Sequence, residues 1–183
     1  MEDVKPYICI LCGEITWETA NVFIKETYEA FIKQDINRII ISISTLGGDA
    51  DAAWSIYTAL KHLGCDILTI ANGRVYSAGV ILFLIGKKRY CFDESLFLFH
   101  PSVVVTTGTD EKPAYRMQEE INGQKIDEKL FRKVLEKTLT NATKKDIMKL
   151  THRHKSVFVD AEEGLRLGLV TDIVETITDI NLG

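Results

Sequence analysis

The stretch Arg-Ile-Ile-Ile-Ser-Ile-Ser at residues 38–44 constrains the fold more than any other part of the chain. It is nearly all apolar and rich in β-branched residues, which is typical of a strand buried on both faces of a parallel sheet. A Gly-Gly turn at 47–48 and a helical pattern over 51–62 follow it directly. Because a strand buried on both faces needs helices on both sides, this unit predicts a doubly covered parallel sheet.

The same alternation of strand and helix recurs over the first half of the chain. The patterns predict strands at 7–15, 38–44, 66–71 and 96–100, and helices at 17–34, 51–62 and 77–85. Such an order predicts an α/β fold in which stacked parallel strands alternate with helices. Functional groups in sheets of this kind collect at the carboxyl ends of the strands, where loops lead into helices.

A long charged segment distinguishes the second half. Residues 111–140 carry apolar side chains at helical spacing, which predicts one helix with a candidate bend at Gly123. The core of a domain this small cannot cover a helix of this length. Part of the helix should therefore project and bury its apolar stripe against another subunit. The alternative is a solvated helix with a narrow packed seam. The stripe comprises Met117, Ile121, Leu130, Val134 and Leu135.

Shorter elements surround this helix. A β-branched run at 103–107 precedes it, and a helix that Thr143 caps follows it. Asp160 begins a further short helix with the pattern of a capping box, and Gly168 ends that helix. A last strand is predicted at 169–177.

Composition and charge exclude several classes of function. The 183 residues, the length of one domain, contain 22 Lys plus Arg against 26 Asp plus Glu, a formal net charge of −4. This balance argues against a nucleic-acid-binding surface. The longest apolar run without a charge, at 75–86, is shorter than the ~20 residues that cross a bilayer. The acidic start differs from a secretory signal, so we expect a cytoplasmic protein with no membrane partner.

The four cysteines are typical of free thiols in a reducing compartment. Cys9 and Cys12 form a single C-x-x-C on a predicted strand, where residues three apart point to opposite faces. The pair should therefore neither form a disulfide nor share a metal, and we expect two small core residues. No metal or cofactor is expected.

The turn after the strand at 38–44 contains Gly47 and Gly48. Paired glycines let the backbone turn sharply and leave N–H groups that can hold a phosphate or a developing oxyanion. The Gly-Lys-Ser/Thr ending of a Walker-type phosphate loop is absent. On these residues alone, an ordinary strand-to-helix turn remains the alternative.

Ser77 and His100 lie at the ends of two later strands. Ser77 lies between Gly73 and Gly79, at the head of a predicted helix, where it is either a nucleophile or an ordinary N-cap. His100 ends an apolar strand and precedes Pro101. It is either a structural histidine or the general base for Ser77.

Taken in order, these motifs resemble the Clp protease proteolytic subunit family. The similarity runs from about residue 8 to 177 and rests on the set rather than on any one motif. It includes IIISISTLGGDADAAWSIYTAL, GRVYSAGVILFLIGKKRYC, FHPS, the long helix and AEEGLRLGLV. The resemblance implies a fold of the ClpP/crotonase-like type with a projecting long handle helix. It divides the single domain, 1–183, into a head at about 7–102 and 154–177 and a handle at about 103–153.

The resemblance also implies roles for particular residues. Ser77 matches the nucleophile of the family and His100 its general base. The backbone N–H groups of Gly48 and Ala78 match its oxyanion hole. The implied activity is that of a serine endopeptidase that cleaves unfolded or accessible polypeptides. Its substrate would lie extended beside a strand of the handle region, in two stacked seven-membered rings of identical subunits.

Two departures from the family stand out. The position of the triad acid is occupied by Ser156, whose hydroxyl could fix the tautomer of His100 but could not stabilise an imidazolium by charge. The nearest carboxylate, Asp160, is better explained as a helix cap. Only residues 1–6 precede the first predicted strand, where the family has a longer segment that helps to engage an unfoldase ATPase. Partnership with such an ATPase is therefore doubtful on the sequence.

Three other functions compete with an active protease. One is a catalytically weakened or regulatory ring subunit, which Ser156 favours. Another is a crotonase-type acyl-CoA enzyme, which would not need Ser77 and His100. A Ser–Lys peptidase that digests signal peptides is disfavoured because the sequence has no membrane segment.

Overall fold

The computed structural model describes residues 6–34, 36–101 and 114–180. Its strands are β1 Pro6–Cys12, β2 Arg38–Thr45, β3 Asp66–Tyr76, β4 Lys88–Cys91, β5 Leu96–Phe99, β6 Val157–Asp160 and β7 Asp172–Ile173. Its helices are α1 Trp17–Gln34, α2 Ala50–Lys61, α3 Ala78–Phe83, α4 Ala114–Thr138, α5 Lys144–Leu150 and α6 Ala161–Leu167, followed by a 3₁₀ turn at Ile177–Asp179. The predicted β-branched run at 103–107 lies outside the described residues.

The sheet is parallel along its main path, in the order β1-β2-β3-β4-β7. β5 pairs in parallel with the end of β3, and β6 pairs antiparallel with β5. In β2, the side chains of Ile39, Ile40 and Ile41 are at most 1% exposed although they point to alternate faces. The α/β fold, in which parallel strands alternate with helices, is thus confirmed. The prediction of helices on both faces is wrong for the described residues, because the core side chains of all six helices pack on the Ile39 and Ile41 face. The segment that carries Val174 and Ile180 packs on the Ile40 face.

β3 is longer than predicted and changes its neighbour halfway along. Asn72 and Gly73 predict a turn after residue 71, but the strand continues to Tyr76. Leu68–Ala71 pairs with β4, whereas Arg74–Tyr76 pairs with β5. Gly73 has a φ of +100°, which glycine adopts without a steric penalty, and so carries the strand from one neighbour to the next.

β4 was not predicted, because Lys88 and Arg89 suggest a solvated segment. Arg89 is nevertheless buried, and its guanidinium donates to the carbonyls of Leu169 at 2.7 Å, Gly168 at 2.9 Å and Gly86 at 2.9 Å. These bonds fasten the segment after α6 to the sheet. The strand predicted at 169–177 is wrong in extent, since only Asp172–Ile173 pairs, with β4.

The predicted long helix is present as α4, which runs through Gly123 without a break. Its predicted apolar stripe divides into two parts. Leu135 is buried, and Val134 packs against the core. Met117, Ile121 and Leu130 are exposed by 53%, 44% and 42%. Among the described residues, the second half of the helix is therefore the part that packs against the core.

The two cysteines of the C-x-x-C motif differ from expectation in one respect. β1 alternates exposed and half-buried residues, so Cys9 is half-buried and Cys12 is exposed. They do lie on opposite faces, but the expectation that both are core residues is wrong for Cys12. β1 forms the edge of the sheet, and Ile8 and Ile10, on the same face as Cys12, are exposed as well.

Candidate active site

Ser77 occupies a strained turn between β3 and α3. Its φ of +54° and ψ of −122° make it the only non-glycine residue with positive φ in the described ranges. Its N–H donates to Leu98 O at 2.8 Å, and its carbonyl accepts from Val80 N–H at 2.9 Å, which hold the turn in place. A residue in such a region of φ/ψ space costs ~1–3 kcal/mol, and strain of this kind clusters at functional sites.

The hydroxyl of Ser77 does not serve as a helix cap. Ser77 stands at the N-cap position of α3, but its side chain makes no capping hydrogen bond. By contrast, Asp49 caps α2 by accepting from Ala52 N–H at 2.9 Å. Ser77 is therefore not a side-chain N-cap, and no capping hydrogen bond engages its Oγ.

The Gly47-Gly48 turn lies directly behind this serine. A Cβ on Gly47 would lie 2.8 Å from Ser77 Cβ and 3.3 Å from Ser77 Oγ. The turn is tied to the segment between β1 and α1, because Ile15 N–H donates to Gly47 O at 2.9 Å and Asp49 N–H donates to Ile15 O at 2.8 Å. These two bonds use the carbonyl of Gly47 and the N–H of Asp49, so the N–H of Gly48 takes no part in them.

Adding a methyl group at Gly47 should damage the site more than the fold. We expect Gly47→Ala to slow reaction of Ser77 with a serine-directed probe by about 10²-fold, because the new Cβ displaces Ser77. Gly64→Ala is the matched control, since Gly64 also has positive φ, +80° against +104°, but has nothing within 4 Å of its would-be Cβ. Both variants carry the backbone penalty, of about 1–2 kcal/mol, in thermal melts. Equal labelling rates in the two variants would contradict the contact.

The N–H of Ala78 lies at the start of α3, immediately after Ser77. The first N–H groups of a helix have no acceptor within the helix. α3 packs closely on β2 here, since a Cβ on Gly79 would overlap the side chain of Thr45. The two N–H groups that the family resemblance assigns to the oxyanion hole, those of Gly48 and Ala78, thus belong to the two turns that meet at Ser77.

His100 follows β5, the strand that lies beside the end of β3, and it lines the same cavity as Ser77. Its Nδ1 lies 2.7 Å from the carbonyl oxygen of Pro101. Because a carbonyl only accepts, this contact assigns the proton to Nδ1 and leaves Nε2 as the basic nitrogen. That tautomer is the one a general base needs.

Ser156 lies just before β6, at the end of that strand which adjoins His100. The antiparallel register pairs Phe99 with Val157, and one further step in the same register sets Ser156 opposite His100. Ser156 is exposed and lines a neighbouring depression rather than the cavity of Ser77, with His152 shared between the two. The observed pairing therefore ends one residue short of Ser156 and His100, and no hydrogen bond joins these two side chains among the described residues.

Asp160 lies at the opposite end of β6, paired with Leu96. Its carboxylate accepts from Glu163 N–H at 2.8 Å, which confirms the expected N-cap of α6. Glu163 does not complete a capping box, because its carboxylate binds Arg166 at 2.7 Å.

The cavity around Ser77 and His100 has a volume of about 90 Å³, which is room for several waters. Trp54, Ile81, Phe99 and Phe131 form its apolar walls, while Asp127 and Glu128 of α4 add carboxylates. The sequence analysis missed these two carboxylates. Their spacing of three and four residues from Phe131 would have put all three on one helix face.

Other chemistries find little support in the described ranges. Burial raises the pKa of the Cys9 thiol and of the Cys91 thiol to about 12 each, so neither is a thiolate at neutral pH. No group of three or more His, Cys, Asp or Glu residues there is placed to hold a metal ion. None of the described helices combines the length and the apolar character that crossing a membrane requires.

Comparison with known proteins identifies the class. Residues 4–177 match the family model described as Clp protease. A family match of this extent makes the chain a peptidase, and hence a hydrolase, by descent. The chain belongs to the Clp protease family.

The curated relatives are distant but cover almost the whole chain. An ATP-dependent Clp protease proteolytic subunit 2 of Chlamydia trachomatis serovar D is 26% identical over 176 residues, 94% of this chain and 83% of the relative. Proteolytic subunit 1 of Chlamydia felis is 26% identical over 179 residues, 96% of this chain and 84% of the relative. Proteolytic subunit 2 of Treponema pallidum is 24% identical over 174 residues, 93% and 83%.

Proposed function

We propose that this chain is a serine endopeptidase subunit of a multi-subunit Clp-type protease, with Ser77 as nucleophile and His100 as general base. The observation that carries the proposal is the state of Ser77. It is held at a φ of +54°, makes no capping bond, and shares a cavity with His100. A crotonase-type acyl-CoA enzyme would give no reason for this pair, and the family match favours the peptidase.

The proposed reaction follows the chemistry of acyl transfer. Nε2 of His100 takes the proton from Ser77 Oγ as the oxygen attacks the scissile carbonyl, and later gives the proton to the leaving amine. The N–H groups of Gly48 and Ala78 donate to the oxygen that becomes negative. Removing one such donor costs about 10²–10³-fold in kcat in enzymes of this kind. A water molecule then releases the acyl group from the serine.

The third catalytic position is the weak part of this arrangement. In the structure the Nδ1 proton of His100 is held by the Pro101 carbonyl, and we propose that Ser156 occupies the triad position beside it. Neither oxygen carries a full charge, so neither stabilises the imidazolium as a carboxylate does. This favours a slow enzyme, or a second function as a weakened or regulatory ring subunit that assembles with a fuller relative.

The proposed substrates are polypeptides that are unfolded or otherwise accessible. We propose that the exposed half of α4 acts as a handle between subunits, in stacked seven-membered rings as the family resemblance implies. The relatives are named as ATP-dependent proteolytic subunits.

Labelling with a small fluorophosphonate tests the nucleophile without knowledge of the substrate. We expect wild-type protein to be labelled at Ser77, Ser77→Ala to show no labelling, and His100→Ala to lose nearly as much, because the pair acts as a unit. Ser55→Ala, on α2, is the control serine. Labelling that persists in Ser77→Ala would move the nucleophile elsewhere, and wild-type protein that never reacts would favour the regulatory function.

A further inference from the structure

One carboxylate in the cavity of Ser77 and His100 has no role in the proposed chemistry. Asp127 lies on α4, four residues before Phe131, so the two side chains face the same way along the helix. Both line the cavity together with Ser77 and His100. α4 thus presents two acidic residues, Asp127 and Glu128, beside the apolar Phe131.

The two carboxylates of this wall differ in their partners. Glu128 is paired, since Arg153 donates to it from Nε at 2.9 Å and from Nη2 at 2.8 Å. Asp127 has no cation within 4.0 Å among the described residues. It is half-buried, and burial first, then the charge of Asp51, raises its pKa. Among the residues that the structure describes, Asp127 is therefore the carboxylate of this wall that lacks a cationic partner.

A cationic side chain would satisfy this carboxylate and fill the rest of the cavity. Lys and Arg bury an aliphatic stem against apolar surface while the charged head reaches a polar group. Trp54, Phe99 and Phe131 provide that apolar surface, and aromatic faces also attract cations. An unpaired, partly desolvated carboxylate is unfavourable, and an arriving ammonium or guanidinium relieves that cost.

We propose that Asp127 is a specificity-determining residue that makes the enzyme prefer a lysine or arginine on the amino side of the bond that is cleaved. The inference rests on the proposed function, since the cavity receives that side chain only if Ser77 attacks the adjoining carbonyl. A carboxylate substrate residue at the same place is disfavoured, because it would meet the negative charge of Asp127, to which Asp51 adds.

The test compares peptidyl phosphonate probes that differ only in the residue next to phosphorus: lysine, norleucine or glutamate. These probes report one covalent step, so slow turnover does not hide the preference. We expect wild-type protein to react fastest with the lysine probe, and Asp127→Asn to lower the lysine-to-norleucine ratio by about 10- to 100-fold. Glu136→Gln, which removes a charge from the solvent side of the same helix, should leave the ratio unchanged.

The outcomes separate this inference from the function it rests on. If a small fluorophosphonate labels Ser77 but the ratio is the same in wild-type protein and Asp127→Asn, Asp127 does not select the substrate, although the peptidase proposal stands. A uniform loss with all probes in Asp127→Asn would make it a catalytic or folding residue and would equally overturn the inference. If no probe reacts with wild-type protein, the proposed function fails, and the inference with it.

Discussion

Replacing Ser156 with aspartate should raise the rate of peptide hydrolysis by up to ~10⁴-fold, the factor that a triad acid supplies. The antiparallel register of β5 and β6 ends at Phe99 and Val157, and one further step would set Ser156 opposite His100. Directly opposed residues have Cβ atoms ~5 Å apart on one face. A carboxylate there would compete with the Pro101 carbonyl for the Nδ1 proton. It would also stabilise the imidazolium that forms during attack.

The matched control is Ser156→Asn, which has the same shape without the charge and should leave the rate within a few fold of wild type. kcat and KM on an unstructured fluorogenic peptide are measured for both variants, with particle size checked first. A gain below the full factor is expected if the second carboxylate oxygen lacks a partner. An assembled Ser156→Asp that is no faster than Ser156→Asn would show that this position does not serve His100.

Charging the exposed face of α4 should dismantle the assembled particle while leaving the subunit folded. Ile126 and Leu130 lie one turn apart and are 66% and 42% exposed, although both are large and apolar. We expect wild-type protein to form a large oligomer and the double variant Ile126→Glu, Leu130→Glu to scatter as a 20.6 kDa subunit. Burying an unpaired glutamate in a subunit contact costs several kcal/mol, and each substitution also loses the apolar contact that its isoleucine or leucine made. Both effects oppose association of the subunits.

Two controls guard this experiment. Ile32 is 73% exposed near the end of α1, so Ile32→Glu adds charge at another apolar surface site and should leave the particle intact. Circular dichroism melts of the double variant report whether the subunit still folds. A particle that keeps its size with both glutamates present would exclude this face of α4 as the contact.

The elements that were predicted well are those whose pattern is local. β2 is almost uniformly β-branched, and α1 begins and ends at the predicted residues because apolar side chains recur at the helical period. β4 escaped prediction because Arg89 finds its partners in the carbonyls of Gly168 and Leu169, some eighty residues later in the chain. No local pattern reveals that a buried arginine will be satisfied at such a distance.

The candidate site divides in the same way. Ser77 and His100 could be proposed because the carboxyl ends of neighbouring parallel strands meet at one edge of the sheet. Asp127 could not, because its place in the cavity depends on how a long helix crosses that edge. The strain at Ser77 was also invisible, since a serine after a strand normally takes negative φ and caps the helix with its hydroxyl.

The strained turn at Ser77 also restricts which side chains could replace the proposed nucleophile. A side chain branched at Cβ is a genuine steric outlier at a φ of +54°, so threonine would have to rebuild the turn before it could react. Cysteine has the unbranched shape of serine and fits the same backbone. The larger sulfur would lie close to Gly47, however. The space there is limited, since a Cβ added to Gly47 would lie 3.3 Å from Ser77 Oγ. The backbone geometry thus confines the chemistry of this edge of the sheet to a primary alcohol, with the thiol as the nearest variation.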